Sequence, residues 1–171
     1  MNSKKIAIVA ISVAMVAALI TIIPIPIPLT GGYTHPGAVA EVFLALAFGP
    51  WIGMVAAGVG AALADLLLGY ASFAPLTLLA HGSLGFLVGL IGWRKGALQM
   101  IVGWIVGGLA LVSVYFLGET TVYGLGFQAA LVEAPINLVQ VSLGVLGFTL
   151  YRLVRAAYPQ IDLLWEQGRF Q

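Results

Sequence analysis

Trp51–Leu68 reads Trp-Ile-Gly-Met-Val-Ala-Ala-Gly-Val-Gly-Ala-Ala-Leu-Ala-Asp-Leu-Leu-Leu, an apolar run broken by one charge, Asp65. Gly49-Pro50 precedes it and Gly69-Tyr70 follows it. A run of about 20 apolar residues is what a helix needs to cross a bilayer. Its small residues, Gly53, Ala57 and Ala61, recur at four-residue spacing and place Asp65 on the same ridge. That spacing lets helix backbones approach closely in lipid. The stretch therefore reads as a packed transmembrane helix with one polar group near its end.

Working outward, the same pattern repeats on both sides. The spans read as Lys5–Ile23, Gly37–Phe48, Trp51–Leu68, Pro75–Trp93, Ala97–Leu117 and Phe127–Ala157. Proline and glycine punctuate each junction: Pro24 to Gly32, Gly49-Pro50, Gly69, Gly92 to Gly96, and Gly118 to Gly126. Of 171 residues, 61% are hydrophobic and 8% charged, against about 25% charged in a soluble domain. Too little polar surface exists to coat a water-exposed fold. The expected fold is all-α: a membrane bundle of six transmembrane helices over residues 1–157, followed by a cytoplasmic or interfacial tail, 158–171. Lys4 and Lys5 before an apolar run imitate a signal peptide. That run ends in Pro24-Ile25-Pro26-Ile27-Pro28 without a small-residue cleavage site, so it reads as a retained first helix.

The second span, about 12 residues or 18 Å of helix, is too short to cross alone. Either it is tilted, or the loop Pro24–Pro36 dips into the bundle, where protein or a watery cavity must surround it. With six spans and a cytoplasmic N-terminus, Lys4, Lys5, Arg94, Lys95, Arg152, Arg155 and Arg169 all fall on the cytoplasmic side. The positive-inside rule supports that topology, with both termini cytoplasmic. Small residues also repeat as Ala10/Ala14/Ala18, Gly85/Gly89 and Gly103/Gly107. Most of these suit packing within the bundle; the alanine stripe suits either packing or a partner helix.

Ionisable residues inside a membrane are costly and mark function by default. Here they are Glu41, Asp65, His81 and Glu133, with His35 just before the second helix. At 1.5 Å per residue all four lie within about 10 Å of the outer interface. Glu133, Asn137 and Gln140 share one face of the sixth helix and offer a carboxylate and two amides to a heterocycle. Tyr33, Tyr70, Phe73, Tyr115 and Tyr123 gather at the same end, as an interfacial belt or as stacking surfaces. The alternatives stand beside each site: mutual hydrogen bonding along the sixth helix, a capping role for Asp65, and a core bond from His81 to Asp65 or Glu41.

Several chemistries are set aside. There is no cysteine, no phosphate-binding glycine loop and no zinc-binding helix motif. No catalytic residue, metal site, cofactor or nucleic-acid partner is expected, and the chain does not read as an enzyme.

Three segments carry a family resemblance: Pro26-Ile-Pro-Leu-Thr-Gly-Gly-Tyr-Thr-His-Pro-Gly37 with Phe48-Gly-Pro-Trp51; Gly60-Ala-Ala-Leu-Ala-Asp-Leu-Leu-Leu-Gly-Tyr70 with Ala74-Pro-Leu-Thr77; and Pro135-Ile-Asn-Leu-Val-Gln140 with Gly144. Over roughly residues 5–155 the chain resembles the substrate-binding S components of energy-coupling-factor vitamin transporters, in the branch with hydroxymethylpyrimidine and riboflavin types. The resemblance implies a prokaryotic, multi-pass cell-membrane protein that captures a vitamin from outside. It implies docking, through Ala10, Ala14 and Ala18, onto a coupling subunit driven by two ATPase subunits, and reorientation in the bilayer. The chain departs from the family pattern at Ala38, where an acidic residue is common, and at His81, where lysine is common. The expected substrate-binding set is Tyr33, His35, Glu41, Asp65, Tyr70, His81, Glu133, Asn137 and Gln140. A stand-alone carrier needs polar groups near the midplane, whereas this polarity lies at one end. A solitary facilitator and a ligand-free assembly subunit remain the competing readings.

Overall fold

In a computed structural model the described residues are 3–27 and 31–165. Pro28, at the end of the proline run, and Arg169, in the tail, lie outside them. Among the described residues seven α-helices follow one another: α1 Ser3–Ile22, α2 Ala38–Phe48, α3 Pro50–Leu68, α4 Ala74–Gly92, α5 Ala97–Thr121, α6 Phe127–Ser142 and α7 Gly144–Ala157. A turn of 3₁₀ helix at Pro159–Leu163 closes the described chain. With Phe127–Ala157 taken as one stretch, five helical segments are long and apolar enough to cross a membrane, and α2 is shorter.

The short helix is accommodated by burial. α2 packs against α1, α3, α4 and α7, and Val42, Leu44, Ala45, Leu46 and Ala47 are all buried. At about 16 Å it is too short to face lipid across a bilayer, and its neighbours enclose it instead. Gly49 ends α2 and opens α3 at φ 88°, and a Cβ there would lie 2.8 Å from the Trp93 ring. Backbone conformation and space both exclude a side chain at this corner. α3 ends at Gly69, whose left-handed φ of 90° lets its N–H reach the Asp65 carbonyl.

The small-residue spacing is used for packing inside the bundle. α3 lies between α1 and α4. A Cβ on Gly53 would stand 2.6 Å from the Gly85 carbonyl oxygen, and one on Gly60 2.7 Å from Val16 Cβ. Backbone meets backbone at the first contact, which is how apolar helices gain contact in lipid. Ala57 and Ala61 are buried on the same ridge, whereas Ala10, Ala14 and Ala18 of α1 are exposed.

Three features depart from the sequence reading. The loop after α1 contains a small antiparallel hairpin, β1 Ile25–Ile27 with β2 Gly32–Thr34, pairing Pro26 with Tyr33. The last span is not one helix: it breaks at Leu143, where the Trp104 indole N–H donates to the Val141 carbonyl at 2.9 Å. Gly144, just beyond, fits under that ring and against Val42 of α2. The third is α5, which continues past Gly118 to Thr121. Gly118 does not end the helix; it makes room for Leu76 of α4.

The described basic residues gather at one end. Asp162 accepts from the Tyr151 hydroxyl at 2.6 Å and pairs with Arg155 at 2.9 Å. Its carbonyl accepts from Arg94 Nε at 3.0 Å. Ile161 is buried in the core cluster, and the Lys5 ammonium lies 5.0 Å over the Trp165 ring. The described part of the tail is therefore folded onto this basic end of the bundle. The opposite end carries the polar cleft.

Candidate functional site

The cleft is built where the hairpin folds over α3–α6. It is lined by Tyr33 and His35 from the hairpin and the turn after it, and by Asp65 with Tyr70 from the end of α3. Phe73 and Thr77 at the start of α4, Tyr115 and Glu119 from α5, and Glu133, Asn137 and Gln140 from α6 complete it. Seven of the nine residues expected to touch ligand thus share one concavity. Three carboxyl groups line it, and no lysine or arginine is among the lining residues.

Side-chain bonds hold the hairpin in place. The Tyr33 hydroxyl donates to Asp65 Oδ1 at 2.5 Å, and its ring lies 4.7 Å from that of Tyr70. Gln140 Oε1 accepts twice, from Thr34 Oγ1 at 2.8 Å and from the His35 backbone N–H at 3.3 Å. Gln140 therefore spends its acceptor on the hairpin. The Gly37 N–H donates to His35 Nδ1 at 3.2 Å, which leaves the ring proton on Nε2. Burial, then the nearby His81, holds the His35 imidazole well below its usual pKa. Burial, then the bond to Asp65, pushes the Tyr33 phenol up. Both groups are neutral at physiological pH, so they act as hydrogen-bonding and stacking surfaces rather than charges.

Glu41 and His81, expected in the contact set, do not line the cleft. Both are fully buried and face each other, His81 Nδ1 to Glu41 Oε1 at 2.8 Å. Their place is directly behind the wall: the His81 ring is 5.3 Å from His35 and 6.0 Å from Tyr115. Of the open options for His81, the core bond to Glu41 is the one formed. Burial without a partner would be prohibitive for either group.

Glu119 is a lining residue that the sequence reading missed. It is 1% exposed, and its Oε1 has no donor among the described residues. Glu133 of α6 lines the same cleft. Ending the fifth span at Leu117 placed it in a loop. Its position four residues after Tyr115, one helical turn on the same face, was the signal available. Phe73 also lines the cleft and stacks on Tyr123 at 5.3 Å with planes 6° apart. The free space is about 40 Å³, which holds water, whereas sites for small organic ligands span about 300–1,000 Å³. A ring-sized ligand requires the hairpin or its neighbours to move outward.

Fold and site together define a multi-pass helical membrane protein with an acidic, aromatic cleft at one end of the bundle. The chain matches the family model of the ECF-type riboflavin transporter S component over residues 1–156 and belongs to that family. It is similar to the thiamine precursor transporter HmpT of Lactococcus lactis subsp. cremoris, 29% identical over 167 residues, covering 95% of this chain and 92% of that one. A 68-residue stretch is 44% identical to an uncharacterized protein in a gap 3′ region of Pyrococcus woesei. That match covers 40% of this chain and 45%, less than half, of the relative. Among solved structures, the S component of a bacterial ECF transporter superposes with a TM-score of 0.73 at 19% identity. It covers 92% of this chain and 98% of that structure, and the likeness establishes a shared fold.

Proposed function

We propose that this chain is the substrate-binding subunit of an ECF-type ABC importer for a small, protonatable heterocycle. A hydroxymethylpyrimidine or thiamine-related ring is the favoured ligand, with pyridoxine and riboflavin next. The observation that carries the reading is the charge of the cleft: Asp65, Glu119 and Glu133 line it without a lysine or arginine among the lining residues. An anionic vitamin would meet repulsion in a medium that screens charge weakly. An aminopyrimidine presents adjacent ring nitrogen and amino groups that suit a carboxylate or amide edge, and charge-assisted bonds are roughly twice as strong as neutral ones. Similarity to a relative named as a thiamine precursor transporter points the same way.

The chain sits in the prokaryotic cell membrane with six spans, both termini cytoplasmic and the cleft facing outward. It works with a transmembrane coupling subunit and two ATPase subunits. Ala10, Ala14 and Ala18, exposed along α1, form the docking stripe. Reorientation with these partners delivers the ligand, since the polar residues of the cleft lie at one end of the bundle rather than midway. The hairpin is the cover that parts to admit ligand.

Titration of the purified chain in lipid nanodiscs with hydroxymethylpyrimidine, thiamine, pyridoxine, riboflavin and pantothenate tests the reading. Tightest binding is expected for a pyrimidine, weakened by about 1–3 kcal/mol in Asn137→Ala, where a buried partner is left unpaired. Preference for pantothenate, or indifference to the substitution, refutes it.

A further inference from the structure

His35 is an aromatic heterocycle already seated in the wall of the cleft. It lines the cleft, yet it is 4% exposed. Its ring lies between two others, 5.4 Å from Tyr33 and 5.3 Å from His81, at tilts of 48° and 34°. Gly37 makes the seat possible. Its N–H donates to His35 Nδ1 at 3.2 Å, and a Cβ on Gly37 would stand 2.8 Å from that same nitrogen. Behind the imidazole, His81 Nδ1 bonds to Glu41 Oε1, while His81 Nε2 and Glu41 Oε2 are buried with no partner among the described residues. Unpaired buried polar atoms are costly, so a ring that reaches one of them with a donor gains more there than at an exposed edge. The cleft beyond His35 holds about 40 Å³ of free space, and the imidazole fills the ring-shaped part of the site.

We propose that the His35 imidazole is the built-in occupant of a ring subsite floored by His81, and that a planar nitrogen heterocycle with an N–H or amino donor binds by displacing it. This deepens the reading of the cleft as a heterocycle site and rests on it. Ring replaces ring, so the ligand inherits the stacking surface of His81 and the edge of Tyr115, 6.0 Å from His81. The helices behind need not repack. With its Nδ1 proton given to Glu41, a neutral His81 offers Nε2 as an acceptor, which selects rings that carry a donor. His35 leaves with the hairpin, where its backbone N–H is held by the long 3.3 Å bond to Gln140. An occupied seat lowers apparent affinity by the fraction of chains whose seat is open. Between ligands it keeps the buried Glu41–His81 pair covered.

The experiment uses the full chain in nanodiscs, with free imidazole, thiazole and hydroxymethyl-aminopyrimidine as probes. His35→Ala is expected to bind imidazole saturably at one site, more tightly than thiazole, which has a similar shape and no N–H; the wild type should bind neither. The aminopyrimidine should bind His35→Ala about tenfold more tightly than the wild type, the gain when the competent fraction rises from roughly a tenth to near one, and imidazole should compete with it. The chain has two histidines, so labelled histidine gives two ring signals in nuclear magnetic resonance. Adding aminopyrimidine to the wild type should move the His35 signal to that of a solvent-exposed ring and shift His81. If His35→Ala does not fold, Gly37→Ala, whose Cβ would crowd the same ring, must expose the His35 signal without ligand. No imidazole site in His35→Ala, imidazole bound no better than thiazole, or weaker aminopyrimidine binding in that variant overturns the subsite. So does a His35 signal that stays buried with aminopyrimidine bound, and that result leaves the heterocycle reading standing. Imidazole binding to His35→Ala with no vitamin bound by either form keeps the subsite and overturns the pyrimidine reading.

Discussion

Among the described residues Gln140 makes two of the bonds that hold the hairpin over the cleft, so Gln140→Leu is the sharpest test of how the site is closed. The substitution keeps the side chain's approximate volume and removes the acceptor for Thr34 Oγ1 and for the His35 N–H. The Thr34 hydroxyl is at the edge and can turn to water, so its loss costs about 0.5–1.5 kcal/mol. His35 is 4% exposed, and its stranded N–H costs about 1–3 kcal/mol, towards the lower end because the bond is long at 3.3 Å. Together these weaken the closed hairpin by about 2–3 kcal/mol, or 30- to 150-fold in the population of open forms. Tyr33–Asp65 remains, so the hairpin loosens without the bundle unfolding. Hydrogen exchange read by mass spectrometry on peptides covering residues 31–37 should accelerate by that factor, while peptides within α3 and α4 keep their protection. Ligand dissociation should quicken alongside. Unchanged exchange at 31–37, or faster exchange spread evenly over the bundle, would refute the reasoning.

Other outcomes follow from the packing and from the two ends of the bundle. Gly85→Leu must displace the α3 backbone at Gly53 and should cost about 1–3 kcal/mol or more through overpacking. Gly82→Ala on the same helix meets no atom closer than 3.7 Å and should fold normally; equal thermal midpoints for the two variants would contradict the close contact. Asp162→Ala strands the buried Tyr151 hydroxyl, at about 1–3 kcal/mol. In a chain of this size that lowers the thermal midpoint by roughly 2–10 °C, and an unchanged midpoint would show that the tail is not anchored there. Ala14→Trp should abolish co-purification with the coupling subunit while ligand titrations stay unchanged; loss of both would assign the alanine stripe to packing.

Much of this molecule is legible in one dimension because a bilayer imposes a strong and local demand. Each crossing segment must satisfy its own backbone and present about 20 apolar residues, so spans such as Trp51–Leu68 stand out without knowledge of their neighbours. The four-residue spacing of Gly53, Ala57 and Ala61 likewise announces close packing, and Asp65 on that ridge announces a polar site. Tertiary structure decided the pairings, because these depend on which groups meet across helices. Nothing local distinguishes Glu41 from Glu133. One is bonded to His81 behind the wall, and the other opens into the cleft. Gly118 looks like a terminator in sequence and is a space for Leu76 in the fold, and that one difference carries Glu119 from a loop into the site. Gln140 lies on the expected face, yet its acceptor is taken by the hairpin, whose two short strands carry no signal of their own. Apolar burial is read along a chain, while hydrogen-bond partners are chosen by distance in space, and the candidate site is made of partners.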